Sequence, residues 1–190
     1  MASRPGLNKM IIVNAAGELA DEIGLDKLTL SLVADRLGVR TPSLYNHIEG
    51  LDGLKRELSL LGLHELDRCM QRAAIGKAGH DAIASMLHAY RAFAKERPGV
   101  YESTLRAPAP DDLEVESASK AIIDTVLTVL KPYQLKSDDA IHVVRAFRAI
   151  GHGFATLEGA GAFGIPLEHD ESYQRLISTF LSGLDRLTTQ

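Results

Sequence analysis

Between Arg40 and His47 the chain reads Arg-Thr-Pro-Ser-Leu-Tyr-Asn-His, a run of hydrogen-bonding side chains interrupted by one leucine and one proline. These residue types suit a nucleic acid. Arginine can grip guanine through two donors and asparagine matches the donor and acceptor of adenine, so Arg40, Ser43 and Asn46 are candidates for base edges. Tyr45 and His47 carry single polar tips that suit phosphate oxygens, contacts that fix register without reading sequence. Thr41 and Pro42 open this segment, Thr29 and Ser31 open the helix before it, and Arg4 lies in an N-terminal arm within reach of backbone or minor groove.

Other chemistries find no footing. His64-Glu65, His80-Asp81 and His88 do not form a metal pair one helical turn apart, and neither HExxH nor a cysteine-based zinc spacing occurs. Cys69 is the single cysteine and has no histidine beside it. A Gly-rich phosphate loop, a nucleophile elbow and a dinucleotide fingerprint are all missing from the sequence. No catalytic residue, metal or cofactor is therefore expected, and the chain is not expected to be an enzyme.

The elements that would position Arg40–His47 are legible in the flanking residues. Thr29 can cap a helix whose apolar residues Leu30, Val33, Ala34 and Leu37 recur at helical spacing. Gly38 ends it, since glycine enters the left-handed conformation cheaply. Thr41 is expected to cap a second helix, Pro42 to Ile48, with Pro42 at its first turn and with Leu44 and Ile48 buried. A short polar helix held on a scaffold helix is the arrangement of a helix-turn-helix.

The rest reads helical too. A first helix spans about Asn8 to Ile23, with Met10, Ile11, Val13, Ala16, Leu19, Ala20 and Ile23 on its apolar side. Further helices are expected from Asp52 to Ala74, His80 to Arg97, Val100 to Leu105, Leu113 to Leu130, Ser137 to Leu157 and Asp170 to Leu187. Gly76 to Gly79, Pro98-Gly99 and Lys131-Pro132 interrupt them, and Ser137 is expected to cap its helix. No run alternates apolar and polar residues long enough for a strand. The fold class is all-α, with about nine helices.

The totals narrow the partners. The net charge is −4, yet it is unevenly spread: residues 1–56 hold seven Lys or Arg against seven Asp or Glu, the remainder fourteen against eighteen. Phosphate neutralisation sets nucleic-acid affinity and its salt dependence. A neutral reading end therefore needs specific contacts and two reading heads, which favours a dimer on a palindromic site. No apolar run approaches the ~20 residues that span a bilayer, and the polar Asn14, Glu18, Asp21 and Glu22 make the N-terminal stretch an amphipathic helix, not a signal peptide. A cytoplasmic protein without a membrane partner is expected.

The order of helix, Gly38-Val39, Pro42-Ser43-Leu44-Tyr45-Asn46-His47 and a new helix at Leu54, preceded by Gly24-Leu25-Asp26-Lys27-Leu28-Thr29, resembles the TetR family of transcriptional regulators over roughly the first 55 residues. The run Gly151-His152-Gly153-Phe154-Ala155-Thr156-Leu157-Glu158, followed by Gly159 to Gly164, resembles the regulatory-domain subtype named for a Trp-His-Gly motif, although this chain contains no tryptophan. The resemblance implies a three-helix DNA-binding domain at residues 1–55 and a helical ligand-binding and dimerisation domain at 56–190. It implies a homodimeric repressor released from double-stranded operator DNA by a small-molecule effector. An effector pocket among the middle helices would draw on Met86, Tyr90, Phe93, Tyr101, Arg106, Phe147 and His152, with Leu105, Val126 and Phe163 as further candidates. Where the family places a phosphate-binding lysine at the start of the fourth helix, this chain has Leu51, and Lys55 is the nearest replacement. Two apolar stripes form a candidate dimer seam: Ile141, Val144, Phe147, Ile150, Phe154 and Leu157, and Tyr173, Leu176, Ile177, Phe180, Leu181, Leu184 and Leu187. The rival reading is a helical small-molecule-binding module or small enzyme that keeps a vestigial helix-turn-helix.

Overall fold

Asn8 begins the first helix by accepting the Ile11 amide on its side-chain oxygen at 2.9 Å. The computed structural model describes residues 6–106 and 109–187, and every regular element among them is helical. Helix α1 covers Lys9–Ile23 and α2 covers Leu30–Leu37. Thr29 caps α2 as its sequence implies, accepting the Leu32 amide at 3.3 Å, and Gly38 closes it with φ 66° and ψ 33°. There follow α3 (Gly50–Ala74), α4 (Gly79–Glu96), α5 (Pro98–Ser103), α6 (Leu113–Leu130), α7 (Ser137–Gly159) and α8 (His169–Leu187).

Four local expectations need correction. The segment expected as a helix over Pro42 to Ile48 is a 3-10 helix over Thr41–Asn46, and Arg40 takes the cap position with no side-chain bond, so Thr41 does not cap it. Its bonds span three residues (the Ser43 amide to the Arg40 carbonyl, 2.9 Å; the His47 amide to that of Leu44, 2.9 Å) because a six-residue piece starting with Thr-Pro has few donors for an α-helical ladder. Pro98-Gly99 does not merely stop α4; Pro98 starts α5, where its missing amide proton costs nothing. Ser137 is the first residue of α7 and makes no side-chain cap, since Lys136 holds the extended cap conformation and its carbonyl accepts the Ala140 amide at 2.9 Å. On α1, Met10 is 72% exposed and Ile12 fully buried in its stead. Met10 to Val13 are all apolar, so local pattern alone did not fix the phase.

The chain gathers into two compact units. The first comprises the described residues up to His64 with those of Glu96–Ala118. Its core is built from Ile12, Ala16, Leu28, Val33, Leu44, Leu54, Leu58 and Val100, all essentially inaccessible. Asp21 of α1 accepts the amides of Gly99 (2.9 Å) and Val100 (3.0 Å), capping α5, and pairs with Arg97. Arg36 of α2 donates to Glu22 of α1 at 2.6 Å, and this bond holds the Glu22 carboxyl below its ordinary range. These ties fix the scaffold on which Thr41–Asn46 sits.

The second unit comprises Glu65–Lys95 and the described residues from Ser119 onward. Met70, Ile83, Met86, Leu87, Phe147, Tyr173, Ile177 and Leu184 fill its core. Arg91 lies buried between the rings of Phe154 and Tyr173, 5.1 and 5.0 Å from their centroids. Glu158 accepts from it through both oxygens at 2.7 Å, and Asp170 accepts a third bond at 2.8 Å. The buried cation is thus neutralised and its donors used, which is the condition for placing an ion pair in a core.

Candidate nucleic-acid interface

Leu44 is fully buried and Ile48 nearly so. Burying an aliphatic side chain of this size stabilises by about 2 kcal/mol, and here it anchors an otherwise polar segment. With Leu44 pointing inward, Pro42, Tyr45 and Asn46 are exposed, Tyr45 by 59%, while Thr41, Ser43 and His47 are half-buried. Arg40 is exposed in the turn before them. Thr29 and Ser31 are exposed at the start of α2, although the Thr29 hydroxyl is already engaged as the cap. Arg4 lies outside the described residues.

The structure brings Tyr45, Asn46 and His47 together on the wall of one polar cleft of about 590 Å³. Gly53, in the first turn of α3, lines it as well. So does Lys9, which sequence reasoning missed although a lone cation in the first turn of α1 was its signal. The Lys9 ammonium donates to Glu57 at 2.6 Å. Lys55, the residue expected to stand in for a lysine at Leu51, lines a different cleft of about 280 Å³, with Leu25, Ser59 and Arg106. The cations that line the cleft beside Tyr45, Asn46 and His47 are therefore Lys9 and Arg56.

Residues 83–180 match the family described as the tetracyclin repressor-like C-terminal domain. Over 184 residues the sequence is 38% identical to the HTH-type transcriptional regulator YobS of Bacillus subtilis, covering 97% of this chain and 96% of that one. The chain belongs to the TetR family of transcriptional regulators. This TetR-family chain is also 32% identical to an HTH-type transcriptional regulator of Mycobacterium tuberculosis over 189 residues, 98% of this chain and 86% of the other. Its fold is similar to that of a TetR variant from Acinetobacter baumannii AYE in complex with minocycline, with a TM-score of 0.75 at 20% identity over 97% of this chain and 100% of that one.

The residues expected to line an effector pocket fall in both units. Met86, Tyr90, Phe93 and Phe147 are buried in the second, where the Tyr90 and Phe147 rings meet edge to face at 6.3 Å. His152 is half-buried there, its Nδ1 3.3 Å from the Thr156 hydroxyl. Tyr101 is buried in the first unit, and Arg106 is exposed beyond the end of α5. Gly151 admits the Tyr90 ring so closely that a Cβ would stand 2.7 Å from it, which marks this region as packed core. A cleft of about 710 Å³ in the second unit lies between the C-terminal end of α3 and α6, among Gln71, Ala74, Ile75, Thr125 and Thr128, and none of the seven candidates lines it. Nothing in the local sequence marked that cleft, because its two walls are some fifty residues apart.

Proposed function

We propose that this chain is a homodimeric, ligand-responsive repressor that places Thr41–Asn46 in the major groove of a palindromic operator. The observation that carries the reading is the division of labour within that segment. Leu44 is wholly inside, while Tyr45 and Asn46 project outward beside His47 and Lys9. In this reading Arg40, Ser43 and Asn46 meet base edges and Tyr45 and His47 meet phosphates. Two copies address half-sites about 34 Å apart or slightly more. In this reading the DNA-reading domain is residues 1–55 and residues 56–190 carry effector binding and dimerisation; the Gly151–Glu158 run supports a likeness of the latter to the Trp-His-Gly subtype. No helix among the described residues is long and apolar enough to cross a membrane; the protein would act in the cytoplasm without catalytic chemistry.

The effector, an apolar small molecule with few polar anchors, releases the operator only by binding one arrangement of the reading heads better than the other. Moving the population from 1:99 to 99:1 needs about 5.5 kcal/mol of differential affinity. The test of operator docking is Tyr45→Ala, titrated by gel shift against duplex selected from genomic fragments by the wild-type protein. Affinity should fall by roughly tenfold, about 1.4 kcal/mol, with dimerisation and helicity unchanged. Unaltered affinity would place the docking surface elsewhere.

A further inference from the structure

Lys9 is the positive end of a continuous chain of charges within the first unit. Its ammonium meets Glu57 Oε1 at 2.6 Å, and the same oxygen takes the Arg56 guanidinium at 3.3 Å. Arg56 in turn donates to both oxygens of Asp112, at 2.6 and 2.7 Å, and to Glu114 at 2.8 Å. Asp112 is also the N-terminal cap of α6, accepting the Val115 amide at 3.2 Å. Lys9, Glu57 and Arg56 therefore line the polar cleft with Tyr45, Asn46 and His47, and the Asp112 end of the chain holds the first turn of α6.

The two ends are not equally firm. Arg56 holds Asp112 through a two-pronged contact, the stronger form of charge-assisted pairing, and its guanidinium is held well above its ordinary range by Asp112 and then Glu114. Lys9 has a single bond, from a side chain more than half exposed to a Glu57 side chain that is largely buried. A pair with its cation in solvent is screened on that side and is the more readily exchanged of the two contacts. A duplex phosphate brought to the cleft by the recognition segment offers Lys9 an equally good anion within a strongly negative field. Glu57, once released, has Arg56 as its remaining partner and competes with Asp112 for it.

We infer that Lys9 is a DNA-phosphate contact held in reserve by Glu57, and that Glu57 and Arg56 couple its occupation to the Asp112 cap of α6. The inference rests on the operator-docking reading above. Coupling of this kind is reciprocal: what loosens Arg56 from Asp112 must also favour phosphate at Lys9. Asp112→Asn keeps a capping side chain but weakens the hold on Arg56, so Glu57 turns to Arg56 and Lys9 is freed.

The test is fluorescence anisotropy over a range of salt concentrations, using a duplex selected from a random-sequence pool by the wild-type protein. Each phosphate contact contributes about 0.9 to the slope of log affinity against log salt, so a dimer of Lys9→Gln should lose about 1.8. Lys9→Arg should keep the slope. Glu57→Gln and Asp112→Asn should each bind several-fold more tightly than wild type, and the Asp112→Asn gain should vanish in the Lys9→Gln background. Binding by Lys9→Gln with the wild-type slope would overturn the contact. A gain from Asp112→Asn that persists without Lys9 would overturn the coupling. If the wild-type protein selects no duplex, this inference and the operator reading fall together; wild-type binding with an unaltered Lys9→Gln slope removes this one alone.

Discussion

Gly99 shows how a single atom can set an element's position. An added Cβ there would stand 2.1 Å from the backbone carbonyl of Ala20, so α5 lies against α1 at a distance only glycine permits. The Asp21 carboxylate, one residue on, holds the Gly99 and Val100 amides at that closeness. Gly99→Ala must push the two backbones apart, strain that typically costs 1–3 kcal/mol and here lies at about the upper end. The urea midpoint of unfolding should fall accordingly, with the m-value unchanged. Gly159→Ala gives the contrast within one chain: its Cβ meets nothing within 4 Å and its backbone is helical, so alanine should be neutral or slightly stabilising. Equal midpoints for the two variants would refute the close approach at Gly99.

At the scale of the element, α7 is tied down at its C-terminal end by Glu158, which takes both Arg91 and, at 2.8 Å, Lys95. The Arg91 hydrogen bond is the main cause that brings the Glu158 carboxyl from 4.5 down to about 2, against a burial that works the other way. A carboxyl with a depressed folded-state value stabilises the protein above its unfolded value and loses that contribution as pH falls. Glu158 should therefore add about 3 kcal/mol above pH 4.5, lost progressively as pH falls toward about 2. Glu158→Gln should lower the unfolding free energy at neutral pH by roughly that amount and flatten its acid dependence in that window. A variant whose acid unfolding runs parallel to the wild type would show that other carboxylates carry it. Little of this pair was legible beforehand, since Arg91 and Glu158 lie far apart in sequence and only folding makes them neighbours. What local chemistry decides was legible: the Thr29 cap, the Gly38 stop and the full span of α6. Thr41 and Ser137 misled because a cap needs a helix whose first turn begins one residue later, and tertiary packing shifted or shortened those turns. In the candidate site, Leu44 and Tyr45 could be sorted into inner and outer faces from period alone. Lys9 could not be placed beside them without α1.

For the whole molecule, the apolar stripes of α7 and α8 divide between two tasks. Val144, Phe147, Phe154, Tyr173, Ile177, Leu181 and Leu184 are buried within the subunit, so they do not belong to a dimer seam as expected from periodicity. What is left on α7 is Ile141, Ile150, Gly153 and Leu157, and on α8 Leu176, Phe180, Gly183 and Leu187; all are exposed or half-buried. On each helix most of these recur three or four residues apart, and they combine large apolar groups with glycines whose Cβ positions are open. Such a face suits isologous packing against a second copy, and a reading head without net charge gives that packing its functional weight. On the operator reading, a single head without net charge gains little from phosphates, whereas two joined heads would bind the second half-site at high effective concentration. Phe180→Glu should therefore sediment as a monomer, because a carboxylate brought into an apolar seam is left without a partner. Its operator binding should become weak and concentration-dependent while each subunit stays helical. A Phe180→Glu protein that remained dimeric would move the seam to another face of the chain.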